Sequence, residues 1–383
     1  MRNLWAGWLL TVLMVGGGMA CAQTQTASAA QQTPPTADEG GPATDNSGIV
    51  IPKKKQEEQP LPPAPATPEV KNPAGMPQVT IRVDTSLVNV DVSVLLDKNK
   101  QFVPNLKAGN FAVYEDGVRQ TVREVKITQT PITAVMLLEF AANSWVFLND
   151  MRNSAEAFFE QLRPDDYIAV MTYDTRTEIL TDFTNDHRTV AEALASLTMP
   201  GMRESNLYDA LYETLDRLAR VEGRKDVILI ASGRDTFSRL NYDQVLAKVK
   251  ATPNTTIFTV STGQLARELT DDNGRMGAIT RLDFLQADNQ MKTFAAMTGG
   301  QSFAPLFQGA LPEVFRQINQ QMRSEYVLSY KPTNPAKDGS YRKLRVELVD
   351  AEGHALVIAD EKGRPLKYSV IARDGYTAKR EVE

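Results

Sequence analysis

The sequence predicts an α/β fold in which a doubly wound, mostly parallel sheet is accompanied by a smaller region of β-strands. Between residues 131 and 323, short apolar runs alternate with segments of helical periodicity, a pattern typical of parallel strands joined by crossover helices. On either side of this stretch, apolar and polar residues alternate with period two, as in strands that bury one face. A chain of 383 residues is long enough for two domains.

Residues 1–22 have the pattern of a signal peptide. Leu4 to Val15 forms a short apolar core, and Ala20-Cys-Ala22 fits the small residues that precede a cleavage site. A second interpretation is cleavage before Cys21 and acylation of that cysteine, but Gly18 stands where an aliphatic residue is usual. Both interpretations predict an exported protein (periplasmic, in the cell envelope or secreted), and membrane association is expected only if Cys21 is lipidated.

Residues 23–77 carry 11 of the chain's 21 prolines, together with Gln, Thr and Ala. Such a segment buries too little apolar surface to offset the entropy lost on ordering. We therefore expect a disordered, extended linker.

Residues 78–128 are predicted to form an N-terminal β segment. The expected strands are Val79–Val83, Val88–Val94 and Phe111–Tyr114, with a hairpin turn at Asp116-Gly117 and a return strand at Thr121–Ile127.

A C-terminal β segment is predicted at 324–376, followed by a tail at 377–383. Its expected strands are Glu325–Tyr330, Arg342–Leu348 and Tyr368–Ala372. Because two or three strands alone are marginally stable, we expect the two β segments to join in one sheet or sandwich.

The segment 131–323 supplies the parallel sheet. The expected strands are Ala134–Leu138, Tyr167–Thr172, Val227–Ala231 and Thr256–Ser261. The expected helices are Val146–Leu162, Thr189–Leu197, Asn206–Ala219, Tyr242–Ala251, Phe284–Met297 and Leu311–Met322. Glu139 follows the first of these strands, so it is expected at the carboxyl edge of the sheet, where open α/β folds bind their ligands.

Composition excludes several kinds of site. The net charge is −5 and the basic residues are scattered, which argues against nucleic acid as a partner. The single cysteine, Cys21, lies in the leader, so the remainder has no disulfide and no thiol nucleophile. The two histidines, His187 and His354, are both expected in solvated turns.

Four motifs occur in a fixed order along the chain: Asn110-Phe-Ala-Val-Tyr-Glu-Asp-Gly117, Leu207-Tyr-Asp-Ala-Leu211, Tyr326-Val-Leu-Ser-Tyr-Lys-Pro332 and Ala372-Arg-Asp-Gly-Tyr376. Together they resemble the von Willebrand factor type A family, and more closely its exported branch, the VWFA-related Acidobacterial domain. The resemblance implies a Rossmann-like domain with a metal-ion-dependent adhesion site. That site uses Asp-x-Ser-x-Ser after the first strand, a Thr before a helix and an Asp after a later strand.

The sequence departs from that metal site at every position. Glu139, Ala141 and Asn143 stand for the first motif, Ser205 for the Thr, and Ser232 for the later Asp, with Asp235 nearby. A divalent cation needs oxygen ligands that carry enough negative charge. We therefore expect no metal, although Mg²⁺ or Mn²⁺ remains an alternative, and we expect Glu139, Asn143, Ser205, Ser232 and Asp235 to form a polar binding rim.

The predicted function is protein–protein contact or adhesion by an exported, non-enzymatic protein, with recognition through loops 141–146, 201–206 and 232–241. One alternative is a metal-dependent adhesin, in which a partner carboxylate completes the coordination. A second is a structural component of envelope assembly. A hydrolase has the least support, because the sequence offers neither a thiol nor a histidine-rich site.

Overall fold

The computed structural model describes residues 87–127, 131–141, 155, 158–200, 204–263 and 278–380. The predicted signal peptide, the linker and the strand at Val79–Val83 lie outside these residues. Asn143 and most of the predicted helix at 146–162 also lie outside them. Ala155, Phe158 and Phe159 are helical, and a turn at Glu160 ends this helix earlier than predicted.

In the described part of the chain, four strands precede the α/β domain. They are β1 (Val88–Leu96), β2 (Phe111–Glu115), β3 (Val118–Gln120) and β4 (Val122–Ile127). The predicted Asp116-Gly117 turn is present, and both residues have positive φ, at 48° and 84°. The prediction of one return strand at Thr121–Ile127 is wrong. Strand β3 pairs with β2, whereas β4 leaves the hairpin and joins another sheet.

The α/β domain follows. Its elements are β5 (Thr133–Glu139), β6 (Tyr167–Tyr173), β7 (Thr177–Thr184), α1 (His187–Ser196), α2 (Leu207–Leu218), β8 (Lys225–Ala231), α3 (Tyr242–Ala251), β9 (Thr255–Ser261), α4 (Ala278–Thr298), β10 (Ser302–Phe303) and α5 (Leu311–Arg323). The sheet has the order β10-β9-β8-β5-β6-β7, and its strands are parallel except β7 at one edge. The sequence reasoning missed β7. It also placed His187 in a turn, whereas this residue begins α1.

Helices cover both faces of this sheet, as predicted. Met136, Leu138 and Ile230 pack on one face with residues of α1 and α5. Leu137 and Leu229 pack on the other face with residues of α2, α3 and α4. Strands β5, β8 and β9 are buried on both faces, which explains the continuous apolar runs Ala134–Leu138 in β5 and Val227–Ala231 in β8.

The C-terminal strands complete a second, all-β region. They are β11 (Tyr326–Tyr330), β12 (Tyr341–Leu348), β13 (Ile358–Ala359), β14 (Pro365–Leu366), β15 (Tyr368–Ala372) and β16 (Gly375–Thr377). One sheet has the order β15-β1-β11-β4 and another β16-β12-β2-β3, so each combines N- and C-terminal strands. Their apolar faces share one core that includes Val92, Val113, Leu328 and Leu344. The prediction that the two β segments join is confirmed.

No helix in the described part of the chain is both long and apolar enough to cross a membrane.

Candidate functional site

The candidate site lies where the strand order of the α/β sheet reverses. Strands β5 and β8 are parallel neighbours at this point, although β6, β7, α1 and α2 all lie between them in the chain. Glu139 is the last residue of β5, and Ser232 follows the last residue of β8. Open α/β sheets bind ligands in the crevice at such a switch point, so the fold places both residues where a binding site is expected.

Glu139 and Ser232 are in direct contact. The Ser232 backbone N–H donates to Glu139 Oε2, and the Ser232 hydroxyl donates to Glu139 Oε1 at 3.1 Å. Only 3% of Glu139 is exposed, and this burial raises the pKa of its carboxyl group. The hydrogen bonds from Ser232, a contribution from the Ser205 side chain and the charge of Arg234 act in the opposite direction. Both carboxyl oxygens of Glu139 thus already accept hydrogen bonds from Ser232.

Ser205 lies just before α2 and holds the loop that follows β8. Its hydroxyl donates to the Arg234 backbone carbonyl at 2.9 Å. Its own carbonyl accepts from the backbone N–H groups of Thr236 and Phe237. Ser205 is buried, and its hydrogen bonds link the β8–α3 loop to the start of α2.

Asp235 acts at the beginning of α2. Its Oδ1 accepts from the Tyr208 backbone N–H at 3.2 Å and from the Ser238 hydroxyl at 2.5 Å. Asn206 occupies the N-cap position of this helix but makes no capping hydrogen bond with its side chain. Burial raises the pKa of Asp235, while the hydrogen bonds from Ser238 and Tyr208 lower it. Asp235 is therefore engaged in stabilising the helix start.

Two buried polar residues at this edge were missed by the sequence reasoning. Tyr173 ends β6 and is the register partner of Glu139. Its hydroxyl has no hydrogen-bond partner among the described residues, and burial raises its pKa well above the ordinary value. The side-chain oxygen Oδ1 of Asn206 also has no hydrogen-bond partner among the described residues. The backbone N–H of Asn206 donates to the Asp174 carbonyl. Tyr173 could have been found, because it ends a buried apolar run as Glu139 does.

The structure thus brings Glu139, Ser205 and Ser232 together. Glu139 accepts hydrogen bonds from Ser232, and Ser205 donates to the carbonyl of Arg234, two residues further on. Asp235 follows in the same loop but faces α2. Asn143, the fifth predicted rim residue, lies outside the described residues.

The resemblance implies a divalent cation at this edge, and the described residues fit one poorly. Ala141 is buried and has no side-chain oxygen, and Ser232 offers a hydroxyl where the family has a carboxylate. Both Glu139 oxygens and the Ser205 hydroxyl already form hydrogen bonds within the protein. Over the described residues, no three Asp, Glu, His or Cys side chains are grouped so that they could hold a metal ion.

Comparisons with known proteins found a matching family model and similar solved structures. Residues 143–234 match the family model of the von Willebrand factor type A domain. Similar solved structures include a von Willebrand factor type A protein from Catenulispora acidiphila, with 13% identity, 71% of this chain and 75% of that chain covered, and a TM-score of 0.38. The vWF domain of the type V pili tip protein Mfa5 from Porphyromonas gingivalis is also similar, at 13% identity and a TM-score of 0.38. The match covers 50% of this chain and 96% of that chain.

A third similar structure is an aerotolerance-related membrane protein from Bacteroides fragilis, at 12% identity and a TM-score of 0.34. The match covers 50% of this chain and 98% of that chain. No curated protein matches the chain by sequence. The closer resemblance to the exported branch stays a prediction. The resemblance to the von Willebrand factor type A family is confirmed: residues 143–234 match its family model, and the α/β domain that contains them has the corresponding fold.

Proposed function

We propose that this chain is an exported, non-enzymatic protein that binds another protein through the carboxyl edge of its α/β sheet without a divalent cation. The match to the von Willebrand factor type A domain supports an interaction role. One observation carries the metal-free part of the proposal. The Glu139 carboxylate, which would have to turn towards a cation, accepts two hydrogen bonds from Ser232 instead.

Energetics support the same proposal. A cation at this edge would displace hydrogen bonds to a buried carboxylate, and each such charge-assisted bond is worth roughly 1.5–3 kcal/mol. It would also approach the guanidinium of Arg234, whose positive charge already acts on Glu139. Ala141 and Ser232 are neutral, so they supply no negative charge that would attract the cation and offset these costs.

Export is proposed from the leader pattern in residues 1–22 and from the proline-rich segment after it. An extended linker would hold the folded region away from a surface, which suits contact with a partner in the envelope or outside the cell. Lipidation at Cys21 would add a membrane anchor.

The experiment is calorimetric titration of Mg²⁺ and Mn²⁺ into the purified chain lacking its leader. We expect no saturable heat for either ion. Saturable binding that disappears in Glu139→Ala would overturn the metal-free proposal. A parallel pull-down from envelope extracts, with and without chelator, tests the interaction role: capture that withstands the chelator agrees with the proposal, and chelator-sensitive capture contradicts it.

A further inference from the structure

One sheet of the all-β region has a polar outer face. This sheet has the order β16-β12-β2-β3, and its inner face contributes Val113 and Leu344 to the core of the region. Because side chains alternate along a strand and paired residues share a face, the register defines which residues point outwards. Tyr114 on β2 pairs with Arg119 on β3 and with Arg345 on β12, so these three residues belong to the outer face.

Cations outnumber acids on this outer face. Its charged strand positions are Arg119, Lys343, Arg345 and Glu347, and both arginines and the lysine are exposed. Lys250 at the end of α3 adds a fourth cation, because its ammonium lies over the Tyr341 ring, 5.2 Å from the centroid. The face therefore has a sign opposite to that of the whole chain, whose net charge is −5.

Two more acids lie beside the face, and both act on other groups. Asp116, in the turn between β2 and β3, lies 3.8 Å from the buried side chain of Arg342 and accepts from the backbone N–H of Lys343. Asp374, just before β16, acts on Tyr341 together with the neighbouring Arg373, whose charge has the opposite effect. Neither acid occupies an outward strand position, so the excess of cations on the face remains.

The sheet holds these cations at regular intervals. Arg119 and Arg345 are separated by two strand spacings, about 10 Å, with Tyr114 between them. Lys343 and Arg345 are two positions apart on β12, about 7 Å. The Arg345 guanidinium lies over the Tyr114 ring, 4.4 Å from the centroid, and also pairs with Glu347. The face is thus an ordered array of cations on an open sheet surface.

The composition of the face indicates the class of ligand. None of the outward positions on these four strands carries a large aliphatic side chain, whereas protein interfaces are centred on apolar and aromatic anchors in pockets. Nucleobases stack on open aromatic rings, but a cation of the protein already lies over Tyr114 and another over Tyr341. A hydrated polymer with repeated anionic groups can contact several of these cations at once.

We propose that the outer face of the β16-β12-β2-β3 sheet binds an acidic polysaccharide, whose carboxylate groups contact Arg119, Lys343 and Arg345. Arginine pairs with a carboxylate through two parallel hydrogen bonds, and lysine attracts it as a point charge. Each exposed contact is weak, so affinity depends on several contacts along the polymer and falls as salt is added. The surface lies on the all-β region, so this inference goes beyond the proposed function and does not depend on it.

Glu347 gives the inference a test of opposite sign. It is the acid among the outward strand positions and it pairs with Arg345, so it competes with a ligand carboxylate for the same guanidinium. Removal of this charge should strengthen binding, whereas removal of a cation should weaken it.

The test is binding of the purified chain to polygalacturonate, measured by biolayer interferometry at low and moderate salt. Neutral dextran, polyglutamate and single-stranded DNA serve as comparisons. We expect polygalacturonate to bind best and to dissociate as salt is raised. The double substitution Arg119→Gln and Lys343→Gln should weaken binding by roughly threefold to tenfold, and Glu347→Gln should tighten it by about twofold to fivefold.

The matched control is Arg123→Gln, because Arg123 is exposed on β4 of the other sheet and its removal changes the net charge in the same direction. It should leave the affinity unchanged, and thermal unfolding checks that all variants fold. Four outcomes would each overturn the inference: no binding of polygalacturonate, equal binding of dextran, stronger binding of polyglutamate or DNA, and an equal loss in Arg123→Gln. None of these substitutions lies at the carboxyl edge, so the metal titration and the chelator experiment test the proposed function separately.

Discussion

Glu139 combines a buried carboxyl group with two hydrogen bonds from Ser232, the residue that follows the neighbouring strand β8. Glutamate is one methylene longer than aspartate, and its carboxylate reaches the Ser232 backbone N–H and hydroxyl across the sheet. An aspartate at position 232 would instead place two carboxylates side by side, which a buried site tolerates only with a proton or a cation between them. The two departures from the family pattern therefore compensate each other.

Burial of Glu139 has a consequence for the pH dependence of stability. Its pKa is raised on folding, so the stability it contributes is present below its unfolded pKa and is lost as pH rises through the folded value. Glu139→Gln keeps an acceptor for the Ser232 N–H but cannot ionise. We expect the free energy of unfolding of the variant, relative to the wild type, to increase from acidic to neutral pH. Urea unfolding across that range measures it, and parallel pH profiles would contradict this interpretation.

At the scale of elements, α2 depends on a side chain outside the helix for its first turn. Asp235 accepts from Tyr208 N–H, whereas the N-cap residue Asn206 does not cap the helix. We expect Asp235→Ala to destabilise the protein by about 1–2 kcal/mol. Asp235→Asn should cost less, because the amide retains an oxygen acceptor. Chemical denaturation compares the two, and equal losses would argue against the capping role.

The loop after β8 also depends on a glycine at one position. Gly233 has φ +78°, and an added Cβ would lie 2.8 Å from Met291 Cγ and 2.9 Å from the Ala287 carbonyl oxygen. Gly353 has φ +88° but no atom within 4 Å of an added Cβ, so it is a matched control. We expect Gly353→Ala to cost about 1 kcal/mol and Gly233→Ala about 2–4 kcal/mol. Equal midpoints of urea unfolding would show that packing against α4 is unimportant.

The elements that could be predicted from sequence are those whose burial pattern is simple. Helix α3 and strand β15 have the predicted bounds, and in α3 the buried residues Val245 and Val249 mark a one-sided apolar stripe. Strand β7 was missed, since all eight of its residues are partly or fully exposed and no long apolar run marks it. That β4 pairs with β11, and not with β2, depends on a partner in the C-terminal segment, far away in sequence.

The candidate site was predictable in position but not in its internal bonding. The carboxyl-edge rule and the family motifs placed Glu139, Ser205 and Ser232 at one edge, and the structure puts them there. That both Glu139 oxygens accept from Ser232, or that Asp235 faces α2, depends on side-chain directions that spacing does not define. The role of Asn143 remains a prediction, because it lies outside the described residues.

On the scale of the whole molecule, a buried group of charges joins the α/β domain to the all-β region. Arg224, just before β8, lies 2.9 Å from Glu325 and 3.3 Å from Asp226. Glu325 precedes β11 of the all-β region, and its Oε1 accepts from Ser93 on β1. Asp91 on β1 also interacts with Arg224 and with both of its acidic partners. One arginine thus partly neutralises acids from both regions.

Because of these buried acidic residues, we expect the contact between the α/β domain and the all-β region to be more stable at low pH. Burial raises the pKa of Asp226 to about 6 and that of Glu325 well above its ordinary value, despite the opposing charge of Arg224. Carboxyl groups with raised folded pKa values contribute stability at low pH that is lost as pH rises through those values. The wild-type protein should therefore lose part of this stabilisation between about pH 5 and pH 7.

Removal of the arginine should enlarge this pH dependence. In Arg224→Gln, the buried acids of both regions lose their main counter-charge, and breaking such a buried pair costs about 3–5 kcal/mol. The loss should be smaller near pH 5, where the acids carry more protons. Arg217→Gln, in the half-exposed Arg217–Glu213 pair, is the control and should cost at most about 1 kcal/mol. Thermal unfolding at both pH values measures the effect. A loss for Arg224→Gln that does not depend on pH would mean that packing, and not charge, holds the two regions together at this point.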